Sequence, residues 1–307
     1  EAGKSKGQFY TPAEVSTIMA KVVGIGAHTS QDVTVYDPTC GSGSLLLKAS
    51  NEAPRGMSIF GQEFDNATWA LARMNMILHD YPDAALWQDN TLASPQFTER
   101  DGSLMRFDYA VANPPFSYKS WTNGITPEND DYDRFELGTP PPGNGDYAFL
   151  LHMLKSLKST GKGAIILPHG VLFRANKEAE IRQELVKRGL IKGIIGLPAN
   201  LFYGTGIPAC IVVLDKAGAA ERDAIFMIDA SGGYLKDGNK NRLRERDIRQ
   251  IVDVFNRELE IPGYSRNVPL SEISGEANAY NLNLPRYIDT ADPEDHQDLE
   301  AQLKGGI

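Results

Sequence analysis

The chain has 307 residues, 41% hydrophobic and 23% charged, a composition that suits one large α/β domain with additions or two modest domains. A net charge of −9 weighs against a protein that grips nucleic acid across a broad face, because displacing counterions from phosphates requires clustered Lys and Arg. Two cysteines, Cys40 and Cys210, form neither a zinc spacing nor a disulfide framework, and no apolar run approaches a membrane span, so a reducing cytoplasm is expected.

In chain order, Thr11-Pro12 supplies a hydroxyl N-cap and a proline ahead of a helix over 13–23. A strand over 33–36 runs into the glycine-rich turn 37–43, and a helix follows over 45–50. A second strand, 58–61, ends at Gln62-Glu63 and precedes a long helix over 66–79. Strands are expected over 84–88, ending at Asp89, and over 107–112, then a helix at 146–157 and a strand at 163–167. A helix at 175–188 leads to strands at 191–197 and 209–214. Strands alternating with helices of this length indicate a mostly parallel sheet, and right-handed crossovers place the strand C-terminal ends along one edge, where ligands bind. Residues 118–145 form a long Pro/Gly/Asp-rich stretch, a length that is functional or disordered in a compact domain. The α/β rhythm defines a unit over 1–216. It weakens over 217–307, where a strand at 224–228, a helix at 247–258 and an irregular tail beyond Arg266 are expected. Lys236, Lys240, Arg242, Arg244, Arg246 and Arg249, set against Asp237, Glu245 and Asp247, read as a solvated helix end, with a local basic surface as the alternative.

Chemistry concentrates at the strand ends. Asp37, Thr39, Gly41, Ser42, Gly43 and Ser44 lie in a strand-to-helix turn whose glycines permit close backbone approach and whose helix offers free N–H groups. The full dinucleotide pattern G-x-G-x-x-G is missing, since Leu46 holds the third glycine position, and no Walker pattern occurs. Asp37 would repel a pyrophosphate but suits a cationic amino-acid group such as that of S-adenosylmethionine. Glu63, about twenty residues past the turn, can accept both hydroxyls of a ribose, and Asp89 an adenine amino group. Asn113-Pro114-Pro115-Phe116 closes the fourth strand with a side-chain amide, outward carbonyls and a π-face. That set fits a flat substrate with an exocyclic amine, although a rigid turn after a strand would need only the two prolines. Five scattered histidines show no H-E-x-x-H pattern, and no metal site is expected.

Taken in order, Gly7-Gln8-Phe9-Tyr10-Thr11-Pro12, Asp37 to Gly43, Gly61-Gln62-Glu63, Asn113 to Phe116, Leu197 to Tyr203 and Asn281 to Tyr287 resemble the modification subunit of type I restriction-modification systems, an N6-adenine DNA methyltransferase family. The resemblance covers roughly residues 1–290 and implies a Rossmann-like S-adenosylmethionine-dependent methyltransferase fold, a mostly parallel seven-stranded sheet with one antiparallel strand and helices on both faces. It further implies that Gln8, Phe9, Tyr10, Thr11 and Pro12, with Ser42 to Ser44, line the S-adenosylmethionine pocket, that Glu63 holds the ribose and Asp89 faces the cofactor adenine. Asn113 to Phe116 would grip the target base. A duplex hides adenine N6, so the base must be flipped out, with Phe116 as its stacking platform and Phe202 or Tyr203 as the opposite face; ordinary core burial is the equal alternative for Phe202.

The implied partners are DNA, a specificity subunit that reads the sequence, and a restriction subunit. Family members carry a helical domain before Gly-Gln-Phe-Tyr-Thr-Pro of which this chain has almost nothing, so the chain as given is expected to bind cofactor yet fail to engage DNA. Rival readings are methylation of a glutamine side chain or an RNA base, and a non-catalytic scaffold for a specificity subunit.

Overall fold

The computed structural model describes residues 11–202 and 206–289. The elements follow the punctuation of the sequence. Helix α1 (Ala13–Val22) starts behind Pro12, strand β1 (Thr34–Asp37) runs into the glycine turn, and α2 (Ser44–Asn51) leaves it. Strand β2 (Ser58–Glu63), helix α3 (Asn66–Leu78), and strands β3 (Ala85–Gln88) and β4 (Phe107–Ala112) complete the first half. Helix α4 (Asp146–Lys155), strand β5 (Leu157–Pro168), helix α5 (Lys177–Lys187), and strands β6 (Ile191–Gly196) and β7 (Ala209–Asp215) follow. Beyond them lie β8 (Ala224–Asp229), β9 (Leu235–Asp237), β10 (Lys240–Arg242), α6 (Glu245–Arg257), β11 (Ser265–Pro269) and α7 (Leu270–Ser274).

The expected mostly parallel sheet is present, but it has nine strands, not seven, in the order β11-β8-β6-β7-β5-β4-β1-β2-β3. Strand β7 runs antiparallel to both β5 and β6, and β11 antiparallel to β8, while the other neighbours are parallel. The additions come from β8, which pairs with β6, and from β11. Ser-Arg-Asn-Val-Pro carries little strand signal because an edge strand pairs on one side only and keeps polar residues outward. Strand β5 also starts earlier than expected, since its polar segment Lys158 to Lys162 reads as a loop and holds a register shift against β4.

Adjacent residues of β5 point to opposite faces. Ala164 and Ile166 join a core with α1, α2, α3 and α6, whereas Ile165 and Leu167 join a second core with α4, α5 and α7. With both faces covered, every residue of β7 is buried, which explains the apolar run that precedes its terminal Asp215. The stretch 118–145 is packed, not extended. Trp121 is fully buried, its Nε1 donates to the Pro141 carbonyl at 2.9 Å, and its ring meets Phe135 edge-on. The Gly145 amide donates to the Tyr118 carbonyl at 3.0 Å and closes the base of the loop.

One topological feature places the site. Strand β1 has β2 and β3 on one side and β4 on the other, so the strand order reverses there and a crevice opens at the carboxyl ends.

Candidate active site

The turn after β1 needs its glycines. Gly41 and Gly43 have φ of +55° and +78°, conformations L side chains rarely adopt. A Cβ on Gly43 would also lie 2.8 Å from Cε of Met76 in α3. Helix α2 therefore starts with its backbone N–H groups uncovered by any side chain at position 43. Ser42 Oγ and Ser44 Oγ lie 2.6 Å apart, and Asn75 Nδ2 donates to the Ser42 carbonyl at 2.9 Å.

The three acids fall at successive strand ends. Parallel registers Asp37↔Gly61 and Glu63↔Gln88 bring Asp37, Glu63 and Asp89 along one edge. Asp37 is 1% exposed, and its Oδ1 accepts from the Thr39 amide at 2.9 Å, a local bond that shapes the turn. Burial, reinforced by the charge of Glu63, pushes the Asp37 carboxyl up to about 8 against the opposing Thr39 bond. Glu63 Oε2 accepts from the Gly41 amide at 2.9 Å and Oε1 from the Asp65 amide at 2.8 Å. Burial also raises the Glu63 carboxyl, and those amide bonds counter it. Asp89 accepts from the Asn90 amide at 2.7 Å and from Gln96 Nε2 at 3.1 Å, while its own amide donates to the Glu63 carbonyl.

On the side of β1 away from Glu63 and Asp89, β4 delivers Asn113 to Phe116. Tyr36 pairs with Ala110, so Asp37 is level with Val111 and Asn113 lies two residues further along, past the end of β4. Asn113 Nδ2 donates to Thr11 Oγ1 at 3.0 Å, which leaves Oδ1 as the acceptor end of the amide. Pro114 is buried, and Pro115 and Phe116 are half-buried. The Phe116 ring meets Phe202 edge-on at 6.1 Å. Phe202 is only 2% exposed, so it supports Phe116 from the core and presents no open face for a base. Gln8, Phe9, Tyr10 and Tyr203 lie outside the described residues.

The sequence pattern of the N-6 DNA Methylase family matches residues 1–296. The chain belongs to that family. It is 36% identical to the type I restriction enzyme MpnII methylase subunit of Mycoplasma pneumoniae, over 97% of this chain and 56% of the relative. It is 32% identical to the HindI methylase subunit of Haemophilus influenzae, over 98% of this chain and 70% of the relative. The crystal structure of the type I restriction-modification methyltransferase subunit from Streptococcus thermophilus superimposes with a TM-score of 0.84 at 38% identity, over 92% of this chain and 60% of that one. The chain thus spans between about half and two thirds of the length of these relatives. Its fold is that of S-adenosylmethionine-dependent methyltransferases, with two strands more than the seven the resemblance implied, one of them the strand expected at 224–228.

Four residues that sequence reasoning passed over form a chain of contacts behind the Asn-Pro-Pro-Phe turn. Ser117, at φ +51°, donates its amide to Asp146 Oδ1 at 2.7 Å. Asp146 is fully buried, and its Oδ2 pairs with Arg174 Nη2 at 2.5 Å. Arg174 in turn pairs with the buried Glu178 at 2.6 Å. Asn144-Gly145-Asp146 signals only a helix start; what the carboxylate holds is a tertiary matter. The basic run also differs from its reading as a helix end. Lys236, Lys240 and Arg242 belong to the β9–β10 hairpin, and only Arg246 and Arg249 lie inside α6. Asp237-Gly238, with Gly238 at φ +58°, was the available hairpin signal.

Proposed function

We propose that the chain transfers a methyl group from S-adenosylmethionine to N6 of a flipped-out adenine in DNA, as the modification subunit of a type I restriction-modification system. The observation that carries this reading is the position of Asn113 to Phe116, one strand away from Asp37 and two from Glu63, across the crevice where the strand order reverses. The chemistry of the crevice fits the cofactor. The glycine turn is a cradle that a Cβ at position 43 would spoil, and two carboxylates stand where a cationic amino-acid group and a ribose diol need acceptors. Glu63 would take the ribose hydroxyls, Asp37 and residues 39–44 the amino-acid part, and Asp89 the adenine amine; Thr11 and Pro12 would close the pocket, with Gln8, Phe9 and Tyr10. Bound S-adenosylmethionine would supply the electrophile, a methyl group on a sulfonium sulfur.

The protein's own part is positioning and electrostatics. The lone pair of adenine N6 is delocalised into the ring, so the amine is a poor nucleophile. Asn113 Oδ1 and the Pro114 carbonyl would accept from its two hydrogens, favour a pyramidal nitrogen, and stabilise the positive charge that develops before a proton leaves to water. The two prolines hold these acceptors at fixed φ, so little reorganisation is needed. Phe116 would stack on the extruded base, backed by Phe202, with Tyr203 as a candidate for the opposite side.

A net charge of −9 supports a division of labour in which a specificity subunit reads the DNA sequence and a restriction subunit joins the same assembly. The buried free thiols Cys40 and Cys210 are compatible with the cytoplasm, and no helix among the described residues is long and apolar enough to cross a membrane. Radiolabelled methyl transfer tests the proposal, with DNA, RNA and protein as acceptors and the specificity partner present or absent. Label on N6 of adenine in DNA is expected; label only on RNA or protein overturns it.

A further inference from the structure

We propose that the β9–β10 hairpin and the first turns of α6 form a phosphate-contacting rim for the DNA strand that carries the target adenine; this rests on the DNA-methylation reading above. The first ground is where the hairpin is fastened. Lys240 Nζ donates to the Phe202 carbonyl at 2.6 Å, the Asn241 amide to the Asn200 carbonyl at 3.0 Å, and Asn241 Nδ2 to the Ala199 carbonyl at 2.7 Å. The hairpin thus lies over the segment that brings Phe202 against Phe116. From the end of the same strand, Arg242 Nε reaches Glu14 Oε1 at 3.5 Å, in the first turn of α1. That turn begins just after Thr11, whose hydroxyl takes the Asn113 amide. The hairpin is therefore tied to the neighbours of both Asn113 and Phe116.

The second ground is charge. Residues 235–249 carry six cations against three carboxylates, in a chain whose net charge is −9. Arg244 is committed to Asp247, at 2.7 and 3.0 Å, and that pair caps α6. Arg249 and Glu245 pair at 3.1 Å, but both are more than 70% exposed, where an ion pair holds its partners weakly. Arg246 is 72% exposed and only 3.8 Å from Asp247, whose oxygens already serve Arg244. Lys236 is exposed on β9.

The third ground is that β9, exposed throughout, contributes nothing to the core. A two-stranded hairpin is marginal by itself and persists here because it is bonded to the site loop. The hairpin and the first turns of α6 together present Lys236, Arg246 and Arg249 outward, with Arg242 shared between Glu14 and Asp237 at 3.5 Å each, beside the place where the backbone of a strand with an extruded base has to pass. A patch of this size suits two or three phosphates, not a whole duplex face, which agrees with bulk affinity coming from a partner.

The test uses the complete methylating assembly, this chain co-purified with its specificity partner, acting on unmodified plasmid DNA across roughly 50–200 mM salt. Lys236→Ala with Arg246→Ala is compared with Arg55→Ala with Arg100→Ala, two exposed arginines that precede the N-terminal ends of β2 and β4. The hairpin pair is expected to raise the KM for DNA several-fold and to flatten the log–log salt dependence by about 0.9 per lost contact. Its kcat, its affinity for S-adenosylmethionine and its thermal midpoint stay at wild-type values, and the control pair changes nothing. An unchanged KM and salt slope in the hairpin pair, with the wild type active, overturns the rim alone. A wild-type assembly that neither binds nor methylates DNA overturns both this proposal and the reading on which it rests.

Discussion

The Ser117 amide points at the buried carboxylate of Asp146, 2.7 Å away and 29 residues later in the chain. Ser117 stands directly after Phe116 in a left-handed conformation, so this one bond fixes the direction in which the chain leaves the Asn-Pro-Pro-Phe turn. Asp146→Ala removes that acceptor and leaves Arg174 and Glu178 without their third member. Loss of about 3 kcal/mol of stability in urea titration is expected, together with a fall in kcat. Asp146→Asn keeps an acceptor for Ser117, and it should recover kcat more fully than stability. Equal recovery of both would show that Asp146 acts only through the overall fold.

Asn113→Ala should abolish methylation, a drop of about 10²–10³-fold or more in kcat, with affinity for S-adenosylmethionine kept within a few-fold. Thr11→Val is the subtler companion. Without the Thr11 hydroxyl, the donor end of the amide loses its 3.0 Å partner and the amide can turn over. A fall in kcat of about tenfold is expected, with little change in the KM for DNA. Single-turnover kinetics on modification-free DNA read both.

Phe116→Ala removes the proposed stacking platform. Base–aromatic stacking is worth about 1–3 kcal/mol, so the KM for DNA should rise roughly tenfold or more. Fluorescence of 2-aminopurine at the target position reports base extrusion directly and should weaken in the variant. A bright, wild-type signal would assign Phe116 to packing instead.

Asp37 makes a pH signature. Its folded pKa of about 8 lies above the ordinary carboxyl value, so the native state holds a proton that the unfolded chain releases. The contribution of Asp37 to stability should therefore be full below about pH 4, decline as pH rises from about 4 to 8, and level off above 8. It is opposite in sign to those of Asp108 and Asp247, whose carboxyls are lowered, against burial, by their cationic partners. Asp37→Asn keeps the acceptor for the Thr39 amide and should flatten that decline in thermal scans. An ammonium placed against Asp37 reverses the preference. Cofactor binding near neutral pH should then release a proton, countable by calorimetry in buffers of different ionisation heat, and Asp37→Asn should abolish the release.

Much of this architecture was legible because strand periodicity, glycine turns and proline punctuation are local. Asp37, Glu63 and Asp89 could be placed at strand ends from spacing alone, and the registers of β1, β2 and β3 put them there. Relations between distant segments were not legible. Nothing in Thr11 announces that its hydroxyl meets Asn113, and nothing in Asp146 announces Ser117. Strands β9 and β11 escaped for a different reason: β9 is polar and exposed throughout, and β11 buries only Ser265 and Val268, so neither shows the alternation that a buried face imposes. Phe202, read as a candidate base contact, sits in the core because the segment that carries it folds under the hairpin.

The bond between Thr11 and Asn113 spans 102 residues of sequence. Closing a loop of that length costs entropy that local contacts do not. The amide on which the proposed chemistry turns is therefore oriented by a residue just before α1, from the far end of the described chain. On the proposed function, a molecule without Thr11 in place would keep the acids at the strand ends and lack the oriented Asn113 amide, so the methylation rate would read out this single long-range contact.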